Sequence, residues 1–337
     1  MKDVLLYSPV AGRLLLGPLV RLGFHEFRRT GRTRPVCYSA FRKLHCITRG
    51  EINRELSRVI ARASPPLAVD SATGLLGDRT STDRLLEDLR RDGYAIAQHR
   101  LDGASCAELL QFATATAATR IGGAGEGLAR FDPAAPTAPR YQFDEAALVG
   151  IPAVRRLLGD PSLVDLAGQY FESPPINDLV TMWWSAPFGA ASSRAAQLFH
   201  FDMDRIRFLK LFVYLTDVDA STGPHVYVRG SHREKPAAFY RDRRFSDDEV
   251  AAAFPAADIR ELCGPAGTVI LADTSGLHKG KPLIRGQRLV LQLELANSLF
   301  GQVYERHRVG PMEDRDPLAV ALRRFPSVLQ RFRSEAR

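Results

Sequence analysis

The sequence has little of what would place it in several large classes. Four cysteines, Cys37, Cys46, Cys106 and Cys263, stand in 337 residues with no C-x-x-C pair and no histidine at zinc-ligand spacing. That argues against a disulfide framework or a zinc knuckle and leaves reduced, structural thiols. A spanning helix needs about 20 nearly unbroken apolar residues. The most apolar segment, VLLYSPVAGRLLLGPLVRLGF, is interrupted by Pro9, Arg13, Pro18 and Arg21, so a transmembrane helix is not expected. Nor does that segment have the uncharged core and small-residue cleavage site of a secretory signal, and a cytoplasmic protein is expected. No repeat of 20 to 50 residues is present, which sets solenoids and propellers aside. Hydrophobic residues at 45% and charged residues at 25% are ordinary for a folded globular chain.

Acidic charge is scarce in one region only. Residues 1–62 hold 13 of the 46 basic residues but four of the 38 acidic ones, leaving 33 basic against 34 acidic in the remainder. The body is thus nearly neutral and shows no basic, aromatic-interleaved face, so nucleic acid is not an expected partner. The basic arm reads as amphipathic surface helices with leucines underneath and arginines in water. Attachment of the arm to an anionic membrane surface or a partner protein is the alternative.

Composition divides the chain further. Residues 1–63 form the basic helical arm, and 64–82 (SPPLAVDSATGLLGDRTST) are rich in Pro, Gly, Ser and Thr and read as a linker. A helix is expected from about 83, with Leu85, Leu86 and Leu89 on one face, ending at Asp92-Gly93 before a strand at Tyr94. A second helix is expected over 104–120, followed by a loop at 121–145. The GGAGEG within that loop follows no strand, so it is no dinucleotide fingerprint. From Leu179 onward, LVTMWWS, RFLKLFVYLTDV, HVYVRG, GTVILAD and RLVLQLEL alternate with turn residues, the pattern of an antiparallel sandwich or barrel. Residues 313–337 read as a C-terminal amphipathic helix.

The alternation at 288–295 sets Leu289, Leu291, Leu293 and Leu295 on one face and Arg288, Val290, Gln292 and Glu294 on the other. A covered leucine face packs under helices, which turns Arg288 and Gln292 into the lumen, where a buried cation needs an anion. An acidic ligand is therefore expected. Lys210, inside the apolar run RFLKLFVYL, lies either at the barrel rim or against an anion such as a cosubstrate. Trp183 and Trp184 point to opposite faces of one strand, so one is expected in the pocket and the other in the core.

His200 and Asp202 share one face of QLFHFDMD because they are two residues apart. With His278, carried on GTVILADTSGLHKGKP, they could form the facial two-histidine, one-carboxylate set that holds non-haem Fe(II). An H-x-D pair alone is weakly specific, but the order of pieces is more so. Asp92-Gly93-Tyr94, Gln197 with His200-x-Asp202, Thr222-Gly223 through Gly230-Ser231-His232, Ala266-Gly267-Thr268 leading to His278, and Arg288 together resemble the phytanoyl-CoA dioxygenase family of Fe(II)- and 2-oxoglutarate-dependent oxygenases. The resemblance spans about 84–298 in pieces.

The resemblance implies an α+β chain with a mainly β core, a double-stranded β-helix (jelly-roll, cupin-like) barrel with flanking helices over 83–312. It implies iron on His200, Asp202 and His278, 2-oxoglutarate and dioxygen as cosubstrates, and Arg288 on the distal carboxylate, with Gln197 and Lys210 as further cofactor-binding candidates. Arg288 is preferred to Arg285 on strand phase. His232 is expected to be structural or at the pocket edge, His225 to lie at the surface or line the pocket, and His25, His45, His99 and His307 to be ordinary. The reaction implied is decarboxylation of 2-oxoglutarate to succinate with hydroxylation of a C–H bond in a small organic substrate. Retention of Asp202 favours hydroxylation over halogenation. The alternatives are a cupin-like metalloenzyme without 2-oxoglutarate and a non-catalytic binding or scaffold protein working through its basic arm. CoA thioesters, amino acids and natural-product scaffolds are all compatible substrates, and an alkene or ring is a compatible product.

Overall fold

The computed structural model describes residues 9–334 except 70–73, 124, 126, 190–192, 194 and 311. Three helices, α1 (Pro9–Thr30), α2 (Pro35–Thr48) and α3 (Glu51–Ala63), make up the arm. They close on Phe300, against whose ring Phe24, Phe27 and Phe41 stand edge-on at 5.5, 5.7 and 5.7 Å. This apolar cluster also takes in Ile206, so leucines and phenylalanines hold the arm to the body. No helix among the described residues is long and apolar enough to cross a membrane.

Next come α4 (Arg79–Asp92), β1 (Tyr94–Ile96), α5 (Gly103–Ala115), β2 (Ala118–Ile121), β3 (Leu128–Ala129) and β4 (Arg140–Gln142). Asp78 caps α4 by accepting the Ser81 N–H at 2.9 Å, and Gly93 ends it at φ 86°. That start lies four residues before the expected one. Part of the expected linker is pinned, since Leu75 and Leu76 donate their N–H groups to Asp160 and Ser162 side chains. The second expected helix stops at Ala115, where Thr116 is already extended; β-branched threonines favour that region, and the chain continues as β2. The segment expected as loop thus supplies β4.

The chain continues through α6 (Glu145–Val149), α7 (Pro152–Leu158), α8 (Pro161–Phe171), β5 (Ile176–Ser185), β6 (Phe208–Tyr214), β7 (His225–Val228), α9 (Asp247–Ala253), β8 (Ile259–Leu262), β9 (Val269–Ala272), β10 (His278–Gly280) and β11 (Arg288–Ala296). It closes with β12 (His307–Val309), α10 (Pro317–Arg324) and β13 (Phe332–Ser334). The expected C-terminal helix is therefore short, because Pro326 cannot extend it. An eight-stranded sheet ordered β1-β9-β6-β11-β5-β4-β2-β3 faces a three-stranded sheet ordered β10-β7-β8, the two-sheeted jelly roll anticipated for the chain.

Alternation along the central strands builds both faces. Leu289, Leu291, Leu293 and Leu295 join Leu209, Leu211, Val213, Met182 and Trp184 beneath the helices. Trp183, Phe212, Tyr214 and Val290 face the small sheet. The two tryptophans divide as expected, one in each layer.

Candidate active site

His200 lies outside the named strands but pairs with the edge of the small sheet: its N–H donates to the His278 carbonyl at 3.0 Å and the His278 N–H returns the bond at 2.8 Å. That antiparallel bridge sets the two imidazoles side by side, with ring centroids 4.3 Å apart. Asp202 follows on the same face. One oxygen is 3.5 Å from His200 Nε2 and the other 3.4 Å from His278 Nε2. The donor atoms of all three lie within 4.8 Å of one another.

The imidazoles are fixed for ligation. His200 Nδ1 is 2.9 Å from the Leu198 carbonyl and His278 Nδ1 3.0 Å from the Gly276 carbonyl. A carbonyl can only accept, so each Nδ1 carries the hydrogen and each Nε2 turns a lone pair to the shared centre. Burial, helped by the neighbouring His278, pushes His200 down to about 3, which keeps it neutral. Two imidazole Nε2 atoms and a carboxylate, with donor atoms within 4.8 Å of one another, are a donor set that fits ferrous iron.

The turn that delivers His278 is braced by the other motif pieces. Tyr227 Oη donates to the Asp273 carbonyl at 2.6 Å and the Leu277 N–H to Ser231 Oγ at 2.8 Å. The Gly230 N–H donates to the Asp92 carbonyl at 2.8 Å, joining the Gly-Ser-His turn to the Asp-Gly-Tyr unit. A Cβ at Gly276 would stand 2.0 Å from Tyr227 Oη, so the turn requires glycine. His232 packs against Gly93, the structural position expected of it.

Lys210 sits in register with Glu294, on β6 beside β11. Its ammonium lies 2.7 Å from Asp202, 3.2 Å from Asp204 and 3.4 Å from Glu294. Lys210, expected at the rim or against an anion, meets the protein's own carboxylates and lines the same cavity as the three metal donors. Burial would raise Asp202, but the Lys210 ammonium outweighs it and holds its carboxyl well below the usual range. Burial lowers Lys210, yet Asp202, Glu294 and Asp204 hold it well above the ordinary lysine value.

At the other end of the sheet, β4, β5 and β11 set Arg140, Ser185 and Arg288 in one row. Arg288 is 6% exposed. It donates from Nη2 to Ser185 Oγ at 3.2 Å, and its Nε has no partner. Arg140 stacks over Trp183 at 4.1 Å and donates to Gln142 Oε1 at 2.8 Å, and its Nε is also unpartnered. Burial pushes both guanidiniums down, Arg140 to about 10 with Arg288 adding to the effect; both remain cationic at neutral pH. Among the described residues neither forms an ion pair, whereas Arg285 is exposed and bound to Asp219 and Ser221.

A cavity of about 340 Å³ joins these parts, lined by His200, Asp202, His278, Lys210, Arg140 and Arg288 with Thr181, Trp183, Phe212, Val290 and Gln292. Gln197 is buried but is not among its lining residues. His225 lines it too, buried, tilted against Phe212 at 4.8 Å and stacked on His278 at 5.4 Å, so of the two expected places it takes the pocket and not the surface. Sequence reasoning missed Arg140. The alternation of RYQ around buried Tyr141 was the available signal, hidden in a segment that reads as loop.

A two-sheeted barrel with a two-histidine, one-carboxylate cluster facing buried cations defines a non-haem metalloenzyme. The family model of phytanoyl-CoA dioxygenase (PhyH) matches residues 89–284, more than half of the chain. The chain belongs to that family of iron- and 2-oxoglutarate-dependent enzymes. No curated protein matches it. Similar solved structures include the non-haem α-ketoglutarate-dependent epimerase SnoN from nogalamycin biosynthesis, at 22% identity and TM-score 0.46 over 65% of this chain and 84% of that one. HygX from Streptomyces hygroscopicus, with nickel, 2-oxoglutarate and hygromycin B bound, shares 13% identity at TM-score 0.45 over 67% and 90%. EctD from S. alaskensis with bound Fe shares 19% at TM-score 0.43 over 69% and 83%.

Proposed function

We propose that the chain is a cytoplasmic oxygenase that hydroxylates a C–H bond of a small organic molecule while 2-oxoglutarate is decarboxylated to succinate and carbon dioxide. One atom of dioxygen enters each product. His200, Asp202 and His278 would hold the ferrous ion through two Nε2 atoms and a carboxylate. Arg288, with Arg140 beside it, would take the distal carboxylate of 2-oxoglutarate. The observation that carries the reading is a pair of buried guanidiniums without an anion in the same cavity as the three metal donors.

Iron with 2-oxoglutarate supplies the activation of dioxygen. The protein's share is orientation and exclusion. The Leu198 and Gly276 carbonyls fix both imidazoles, and Lys210 holds one Asp202 oxygen so that the carboxylate keeps one direction toward the metal. The guanidinium fork matches a carboxylate bidentately and sets the cosubstrate's orientation. Trp183, Phe212 and Val290 form apolar walls that keep bulk water from the reacting centre. Asp202 occupies the position that a halide would need, which favours hydroxylation. The four unpaired cysteines accord with a reducing compartment.

The test is aerobic incubation of the purified protein with Fe(II) and 2-oxoglutarate, reading succinate. The reading expects iron-dependent succinate, accelerated by the true substrate and lost in Asp202→Ala. Succinate absent from the wild type, or formed equally by Asp202→Ala, would refute it.

A further inference from the structure

A larger cavity, about 540 Å³, lies between the arm and the body and shares no lining residue with the metal-bearing one. One wall is α3, where Arg54, Arg58 and Arg62 recur every fourth residue and so occupy one helical face. The facing wall carries Arg90, Arg207 and Arg233. With Arg49 and Lys235 the lining holds eight fixed cations, against Glu172 and Asp273 as the acids. The Asp273 carboxylate is already taken up by Tyr170 Oη at 2.6 Å and Ser275 Oγ at 2.6 Å.

Four of the arm's other arginines are paired. Arg13 and Arg21 meet Glu51 and Glu55, Arg34 meets Glu26, and Arg42 meets Asp242. Among the described residues, none of the seven arginines lining the cleft forms an ion pair. Like charges one helical turn apart repel, so this face of α3 is unfavourable until something anionic lies across it.

The floor is built as a binding site. Asn53 Nδ2 donates to the Ile206 carbonyl at 2.8 Å, which turns Oδ1 toward His45 Nδ1 at 2.8 Å. His45 Nδ1 therefore donates, and His45 Nε2, on a ring 5% exposed, keeps an unpartnered lone pair that can accept from a protonated phosphate hydroxyl. Lys235, 4% exposed, lies over the Phe201 ring at 5.0 Å and donates to the Ser231 and Ser275 carbonyls, both at 2.9 Å, leaving one of its three hydrogens for an occupant. Phe201 separates the candidate metal ligands His200 and Asp202 in sequence, so the floor backs directly onto the segment that carries them.

We propose that this cleft binds a small soluble molecule bearing two or more adjoining phosphate groups. Guanidiniums spread over two walls suit several anionic oxygens at once, and the fork geometry matches phosphate bidentately. The site is a concave cleft between two elements, which fits a small molecule and not a planar lipid surface. Its occupant bridges arm and body, and it is a second ligand beside the one that reacts at the metal.

Full-length protein is titrated calorimetrically with sodium tripolyphosphate, with sulfate at matched ionic strength as comparison. Saturable one-to-one binding is expected for tripolyphosphate and not for sulfate, with a thermal midpoint that rises with tripolyphosphate. The double variant Arg58→Gln, Arg62→Gln changes exposed side chains and leaves the fold intact by circular dichroism. It should bind about tenfold or more weakly. Arg21→Gln, whose arginine is paired outside the cleft, should bind as the wild type does, and so should Asp202→Ala, which separates this site from the oxygenase chemistry. Absence of saturable binding, undiminished binding by the double variant, equal loss in Arg21→Gln, or sulfate matching tripolyphosphate overturns the proposal. Retention on anionic vesicles without tripolyphosphate binding also overturns it, in favour of a membrane surface.

Discussion

Replacing Arg288 by methionine should move stability and ligand affinity in opposite directions. The guanidinium is 6% exposed, its Nε has no partner, and its hydrogen bond is to Ser185 Oγ at 3.2 Å. Burying an uncompensated cation is unfavourable by several kcal/mol in a dry interior, but Arg288 borders a cavity that water can enter, which reduces the penalty. Loss of the Ser185 contact offsets about 1 kcal/mol of the gain. The ligand-free variant should then be more stable than the wild type by roughly 1–2 kcal/mol, a rise of a few degrees in thermal midpoint. With 2-oxoglutarate the sign reverses. One bidentate, charge-assisted pair contributes about 3 kcal/mol, which corresponds to a dissociation constant weakened about a hundredfold, with Arg140 retaining the rest. Thermal melts with and without 2-oxoglutarate, under nitrogen with Fe(II), read both effects in one experiment. A ligand-free variant less stable than the wild type, with 2-oxoglutarate still shifting the midpoint as before, would refute the assignment of Arg288 as an anion site awaiting its ligand.

Lys210→Met removes the ammonium 2.7 Å from Asp202 and should weaken Fe(II) affinity about 10- to 100-fold, measured by competition with a chromogenic chelator; unchanged affinity would deny Lys210 any orienting role. Gly276→Ala brings a Cβ to 2.0 Å from Tyr227 Oη and should lower stability by roughly 1–3 kcal/mol with loss of iron binding, read by melting and metal analysis. Burial pushes His45 down to about 4, with Lys235 and Arg54 acting in the same sense and Asn53 and Asp273 opposing. The folded state thus rejects a proton that the unfolded imidazole accepts near 6.5, so this contribution is complete above about pH 6.5 and is lost as pH falls toward 4. The loss amounts to about 2 kcal/mol by pH 5, and His45→Gln should flatten the stability profile between pH 6.5 and 5.

The strand phase of β11 was readable because a leucine at every second position leaves one alternative for Arg288. The same logic divided Trp183 from Trp184 and placed His200 beside Asp202. The union of His278 with them was legible through order and resemblance, not through periodicity, since it depends on a bridge between a loop residue and an edge strand. Lys210 was half legible. Its charge demanded an anion, but the cross-strand neighbour Glu294 and the loop carboxylate Asp204 become visible only with the register. Arg140 was hidden because β4 is three residues long and follows glycine- and proline-rich chain. The cationic cleft was hidden for another reason: Arg54, Arg58 and Arg62 read as a solvated helical face until the body supplies Arg90, Arg207 and Arg233 opposite them.

The central claim, one ferrous ion shared by His200, Asp202 and His278 with 2-oxoglutarate alongside, is tested most directly by anaerobic titration of the protein with Fe(II) and then 2-oxoglutarate. A weak visible absorption band should appear only when both are present, saturate at one iron per chain, and vanish in His278→Ala. A band that never forms in the wild type, or persists undiminished in His278→Ala, would contradict it.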